Sequence, residues 1–133
     1  MTYHLQIVTP DGKRYDGQAV RLIIPTIDGQ VGILARHINF VTALGMGPAK
    51  LVTEDGERYA ACIGGMLAVT DGEVKVVATT FEWADEIDTK RVEVSYERAQ
   101  AVLHNKDASA TDIKLAEARL RRALVRKSVA SNK

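Results

Sequence analysis

Up to Thr80 the apolar residues come in short runs bounded by turn residues, and after Asp88 they fall on a helical stripe. Alternation begins at once in Met1-Thr-Tyr-His-Leu-Gln6. Turn signals then recur at Thr9-Pro10-Asp11-Gly12, Asp28-Gly29, Gly45-Met-Gly47-Pro48, Glu54-Asp55-Gly56, Gly64-Gly65 and Asp71-Gly72. The pieces between them, Val20 to Ile24, Val31 to Leu34, Phe40 to Leu44, Tyr59 to Ile63, Met66 to Val69 and Val74 to Val77, have strand length and composition. Glu73-Val-Lys-Val76 alternates as a strand with one buried face should, whereas Leu22-Ile-Ile24 is apolar on both sides and predicts cover on both. Many short strands at this spacing predict a sandwich or barrel.

From Asp88 onward there is neither Gly nor Pro. Val92, Tyr96, Ala99 and Leu103 form one helical stripe, with Asp88 placed to cap its start. Asn105-Lys-Asp-Ala-Ser109 interrupts it, and Ser109-x-x-Asp112 has the form of a capping box opening a second helix with the stripe Ile113, Ala116, Leu120, Ala123 and Leu124. The predicted fold is α+β: an N-terminal antiparallel β-sandwich (1–86) followed by a C-terminal two-helix antiparallel hairpin (87–133). Its seams are thin and rich in alanine. Burying a Leu contributes about 1.5 to 3 kcal/mol, while ordering each residue costs about 1 to 2 kcal/mol, so the hairpin should be held loosely.

Charge divides the chain at the same place. Residues 87–133 hold eleven of the eighteen Lys and Arg against six acids, and residues 1–86 hold seven against eleven. Between Lys114 and Lys127, Lys114, Arg119, Arg121, Arg122, Arg126 and Lys127 stand against Glu117 alone. Like charges at this spacing destabilise an isolated helix, which favours an acidic partner. Nucleic acid is the generic candidate, but no aromatic interleaving or helix-turn-helix accompanies the helix, and an acidic protein surface fits better.

Candidate chemistry is sparse. The lone cysteine, Cys62, lies in an apolar run and reads as a small buried hydrophobe of a reducing compartment. His4, His37 and His104 lack metal-ligand spacing, and no nucleophile elbow or phosphate-binding loop occurs. Gly64-Gly65 reads as a turn or bulge rather than a phosphate cradle. The chain is expected to be non-catalytic, to need no metal or cofactor, and, with no signal-peptide pattern or run of about 20 apolar residues, to be cytosolic or peripheral.

Five ordered segments carry a resemblance: Val8-Thr-Pro-Asp-Gly12, Gly29-Gln-Val-Gly-Ile-Leu34 followed by His37-Ile38, Ile63-Gly-Gly-Met66, Ile87-Asp-x-x-Arg91 and Arg122-Ala-Leu-x-Arg126. In order and spacing they resemble the epsilon subunit of bacterial F-type ATP synthase. The resemblance implies a rotor subunit on the cytoplasmic face of the bacterial plasma membrane, peripheral through its complex. Its implied contacts are the c-subunit ring through Gln30, Val31 and Gly32, and the gamma subunit through His37, Ile38, Phe40 and Thr42. It further implies that the hairpin can open and inhibit ATP hydrolysis at the alpha and beta subunits of the catalytic head, with Arg119, Arg121, Arg122, Arg126 and Lys127 as the contacts. ATP is implied as a regulatory ligand held by Glu82, Ile87, Asp88, Arg91, Arg98, Arg122 and Arg126, with the four arginines meeting in the closed hairpin. Nucleic acid is no partner on this reading; the alternative is a cytosolic β-sandwich adaptor whose basic helix binds nucleic acid or another acidic partner.

Two departures stand out. The family's Gly-Ile-Leu-Pro-Gly-His-Ile-Pro is here Gly32-Ile-Leu-Ala-Arg-His-Ile-Asn39, and the Ala after the family's Asp-x-x-Arg is Val92, whose branch would crowd a nucleotide.

Overall fold

The structure is a computed structural model and describes residues 1–132; Lys133, the last residue of the expected hairpin segment, lies outside the described residues. Eight strands precede two helices: β1 (Tyr3–Thr9), β2 (Gly12–Ala19), β3 (Arg21–Thr26), β4 (Gly29–Ile33), β5 (Phe40–Ala43), β6 (Met46–Thr53), β7 (Gly56–Thr70), β8 (Glu73–Trp83), α1 (Thr89–Leu103) and α2 (Ala110–Ala130). A single 3-10 turn, Ala84–Glu86, joins the two parts. The strands run in the order β2-β1-β8-β7-β6-β3-β4, with β5 added to β7. All pairs are antiparallel except β1 with β8, which run parallel.

The two strand pieces expected at Tyr59 to Ile63 and Met66 to Val69 are one strand. Strand β7 pairs with β6 up to Ile63 and with β5 from Met66, changing partner at Gly64-Gly65. Both glycines have positive φ, +70° and +123°, and bend the strand between layers without interrupting it. Gly45 sits opposite the bend: Gly64 N donates to its carbonyl, and Leu44 N donates to Gly65 O. Leu5, Ile7, Leu22, Ile24, Ile33, Leu67, Val76 and Phe81 fill the interior, and Tyr3 reaches across it to donate to Ile33 O at 2.8 Å. Cys62 is fully buried, and burial pushes its thiol up to about 12. Leu22 and Ile24 are buried as expected, while Ile23 between them is half-exposed.

The turn that replaces Pro-Gly survives. Ala35-Arg36 forms it with Arg36 in the left-handed region at φ +64°, a conformation that is costly for a side-chain-bearing residue. Arg36 is exposed. Restoring glycine there should raise stability by up to about 1 kcal/mol, seen as a higher urea midpoint at unchanged slope. A lower midpoint would show that the arginine side chain contributes more than its backbone costs.

Both helix starts form as the residues require. Asp88 accepts from Arg91 N at 3.1 Å, and Ser109 and Asp112 close a reciprocal capping box. The second stripe is displaced, however. Leu124 is 47% exposed, and the buried face of α2 continues instead through Ala123, Val129 and Ala130. These pack with Ala61, Ala84, Ile87 and Val92, flanked by Tyr59, Tyr96 and Val125, in a cluster separate from the sandwich core. It is mostly small side chains. Chiefly α2 touches the sandwich, on β6, β7 and the 3-10 turn.

Candidate functional site

The hairpin base is built around one ion pair. Arg126, on the half-buried side of α2, donates from Nε to Glu82 Oε1 of β8 at 2.6 Å, each side chain less than a third exposed. A second latch lies beside it, where Lys127 pairs with Glu93 of α1 at 3.1 Å and sits 4.4 Å from the Tyr96 ring centroid. The hinge is fastened too. Glu86 accepts from Trp83 N and from Arg14 of β2, both at 3.1 Å, while Arg58 stacks 3.7 Å from the Trp83 ring.

Two clefts meet on the hairpin. The smaller, about 390 Å3, is lined by Glu82, Glu86, Asp88, Arg91, Val92, Ser95 and Arg126. The larger, about 880 Å3, follows the helix pair and includes Arg91, Ser95, Arg98 and Arg119. Four of the expected nucleotide residues, Glu82, Asp88, Arg91 and Arg126, therefore share one cleft. Ile87 is 4% exposed and packs under α2 in the alanine-rich cluster, and it lines a neighbouring apolar recess with Val92. Arg98 stands in the larger cleft. Arg122 is half-buried and lines neither, so the four arginines do not converge on one point.

Chemically, the smaller cleft joins hydrogen-bond acceptors to cations. One Asp88 oxygen is already engaged as a cap, and one Glu82 oxygen holds Arg126, which leaves a second oxygen on each to accept from an N–H or O–H. Val92 is 7% exposed and forms the wall where the family has Ala. Glu86 and Ser95 belong to the cleft without having been expected there; nothing in their local sequence marks them, because the cleft forms only where the start of α1, Arg126 of α2 and Glu82 of β8 come together.

On the sandwich, Ile38 is 77%, Val41 64%, Ile27 68% and Leu34 56% exposed, an apolar band drawn from the β3–β4 turn, the end of β4 and the segment entering β5. The rings of His37 and Phe40 lie 5.0 Å apart, centroid to centroid, tilted by 39°. Thr42 is half-buried in β5. Gln30, Val31 and Gly32 lie on edge strand β4, paired to β3, with Gln30 Nε2 donating to Pro48 O at 3.2 Å. The histidines are ordinary polar groups: His4 bonds Asp16 at 2.6 Å, and His104 bonds Gln100 O. Among the described residues no cluster of His, Cys, Asp and Glu could hold a metal, and no helix is long and apolar enough to cross a membrane.

A β-sandwich followed by a two-helix hairpin is the architecture that carries these clefts and apolar contacts. Sequence comparison agrees. Residues 2–84 match the family described as ATP synthase, Delta/Epsilon chain, beta-sandwich domain, and residues 85–131 match its long alpha-helix domain. The chain is 36% identical to the ATP synthase epsilon chain of Shouchella clausii over 99% of its length and 97% of that chain's. It is 38% identical to that of Staphylococcus aureus over 99% and 98%. In solved structures, a chain of the Euglena gracilis mitochondrial ATP synthase has the same fold, with TM-score 0.79 and 24% identity, covering 93% of this chain and 78% of that one. A chain of the Tetrahymena thermophila central stalk and c-ring assembly gives 0.59 and 15% over 96% and 95%. The chain belongs to the ATP synthase epsilon-chain family. It is a non-catalytic stalk subunit of the F-type machine, acting in ATP synthesis coupled to ion transport.

Proposed function

We propose that this chain is the rotor-borne regulator of its ATP synthase: the sandwich couples gamma to the c ring, and the hairpin, when it opens, restrains ATP hydrolysis at the alpha and beta subunits. The observation that carries this reading is the hairpin's attachment, a cluster of mostly alanine and valine side chains plus, among the described residues, one bridge to the sandwich from Arg126 to Glu82. A partly exposed ion pair contributes about 1 kcal/mol or less, so exchange with an extended state requires only a few kcal/mol. Two of the five expected inhibitory cations, Arg126 and Lys127, have internal carboxylates in the closed form. Arg119 and Arg121 are exposed and have no carboxylate in ion-pair range among the described residues. Opening thus exchanges internal carboxylates for an acidic surface on the catalytic subunits. The relatives are bacterial chains, which supports a place on the cytoplasmic face of the plasma membrane, peripheral through the complex.

The exposed apolar band supports gamma as the partner of the sandwich, since aromatic and aliphatic side chains of this kind anchor interfaces. Phe40→Asp should weaken co-elution with gamma. Because Phe40 also rests against the core, Ile38→Asp is the cleaner variant, its side chain being outside any packing. If both co-elute with gamma as the parent does, the band is not the gamma surface.

ATP is the regulatory ligand in this reading. A ligand of the closed form stabilises it by RT ln(1 + [L]/Kd) and lifts inhibition when ATP is plentiful. Weak binding is expected, because Val92 narrows the cleft and the Arg126 bridge must be shared or displaced. Isothermal titration of the full chain with millimolar ATP tests it: heat that Arg91→Ala and Arg126→Ala both abolish is the expected result. No heat with the parent chain would mean that the tail responds to something else.

A further inference from the structure

Strand β2 carries one residue more than its pairing with β1 requires. Ile7 pairs with Tyr15 and Val8 with Lys13, which leaves Arg14 as the extra residue of a bulge. A bulge turns a side chain and a carbonyl away from the ladder, and here both turn to the hinge. Arg14 Nη1 donates to Glu86 Oε2 at 3.1 Å, and Arg14 O accepts from Trp83 Nε1 at 3.3 Å. Glu86 reaches back through its other oxygen, Oε1, to accept from Trp83 N at 3.1 Å. The guanidinium is packed rather than free in water: the Arg14 side chain is 27% exposed, and its Nε is buried without a hydrogen-bond partner among the described residues. Trp83 is itself fixed in the sandwich, buried, paired with Ala60, set edge-on to Phe81 and covered by Arg58. The 3-10 turn Ala84–Glu86 is therefore tied at both ends to strands of the sandwich. Its contact with the hairpin is apolar, Ala84 packing in one cluster with Ala123, Val129 and Ala130.

Resting on the movable hairpin of the reading above, we propose that Arg14 is the hinge anchor: it keeps Ala84–Glu86 on the sandwich when the hairpin opens, so that the swing takes place at Ile87 and Asp88. The bonds from Arg14 and Trp83 that hold the turn end on β2 and β8, and none of them has to break when α2 leaves. The bridge from Arg126 to Glu82 and the alanine-rich cluster, in contrast, must both break. With the turn anchored, two residues link it to α1, a reach of about 7 Å; with the turn released the link is five residues, Ala84 to Asp88, and reaches about 17 Å. A short tether confines the opened helices and lowers the entropy lost when they engage a partner surface.

Nitroxide labels on the full-length chain test the assignment. A label at Asp85→Cys reports the mobility of the turn, and in a second sample a label pair at Lys75→Cys and Ser128→Cys reports whether α2 has left the sandwich; all three positions are exposed, and the buried Cys62 stays unlabelled. Val129→Asp opens the hairpin by placing a carboxylate at a fully buried position of its cluster. The emission of Trp83, the chain's one tryptophan, checks that each variant keeps its sandwich. In Val129→Asp the pair should gain a long distance while the Asp85 label keeps the slow spectrum of the parent. Adding Arg14→Ala or Glu86→Ala should make the Asp85 label fast, and adding Arg14→Lys should fall between. Fast motion at Asp85 in Val129→Asp alone would overturn the proposal, because the turn would then leave with the hairpin. So would a slow Asp85 label in Val129→Asp with Arg14→Ala, which would assign the hold to Trp83 instead of Arg14. A pair distance that stays short in Val129→Asp would overturn the swing itself and, with it, the reading of the hairpin as a movable tail.

Discussion

Gly65→Ala is expected to cost the sandwich about 3 to 5 kcal/mol, a large part of the roughly 5 to 15 kcal/mol that stabilises a domain of this size. A Cβ at that position would lie 2.1 Å from Val77 O and 2.7 Å from Ala78 Cα, backbone atoms of the neighbouring strand that cannot turn aside. The φ of +123° adds conformational strain. Gly12 separates the two effects, since its φ is +124° but nothing lies within 4 Å of an added Cβ. Gly12→Ala should therefore shift thermal unfolding by a few degrees, and Gly65→Ala by roughly 15 °C or to outright loss of the fold. Equal shifts for the two would show that strain alone, and not the close approach of β7 to β8, fixes glycine at the bend.

Deleting the chain after Asp88 should raise ATP hydrolysis by the assembled enzyme about tenfold, within the range usual for a regulatory coupling of 1 to 3 kcal/mol. Neutralising Arg119, Arg122 and Arg126 together should act in the same direction, since each cation removed weakens the open tail's hold on an acidic surface. Synthesis should survive in both, because the sandwich core is complete without the hairpin cluster. Glu82→Gln should do the opposite. It weakens the closed form's bridge to Arg126 without removing any cation, so the population shifts toward the inhibitory state and hydrolysis falls. A truncated enzyme that hydrolyses ATP no faster than the parent would show that the tail is not the brake.

The contrast between the two halves also explains what could be read from the residues alone. Helix starts at Asp88 and Ser109 were legible because capping is local chemistry, complete within four residues. Strands β3, β4, β5 and β8 were legible because glycine and aspartate turns bound them. Strand β2 was not: Gly-Lys-Arg-Tyr-Asp-Gly-Gln-Ala is mostly exposed and carries no apolar alternation. Strand β6 was hidden by Gly47-Pro48, which reads as a turn but lies where β6 pairs only with β7, β3 joining it further along at Lys50; there a proline deprives no neighbour of a donor. The parallel pairing of β1 with β8 joins residues some seventy positions apart and has no local signal. On α2 the stripe ran one residue too far, to Leu124, because the helix turns its buried face toward Val129 against the sandwich. Glu82 and Arg126, which the resemblance set at the base and the phosphates of one ligand, are ion-paired directly. Arg122 lines neither cleft, a matter of helix rotation that spacing along one helix does not determine.

On the proposed function the hairpin exchanges between this closed form and an open inhibitory one, and ATP holds it closed. Spin labels at Lys75→Cys on the exposed face of β8 and Ser128→Cys on α2 report that exchange directly, since the native Cys62 is buried and resists labelling. In the assembled enzyme, the pair distance should be short and narrowly distributed with millimolar ATP, and should gain a long component as ATP is removed and hydrolysis falls. A distance distribution that does not change with ATP, or a long component that appears without loss of hydrolysis, would contradict the account.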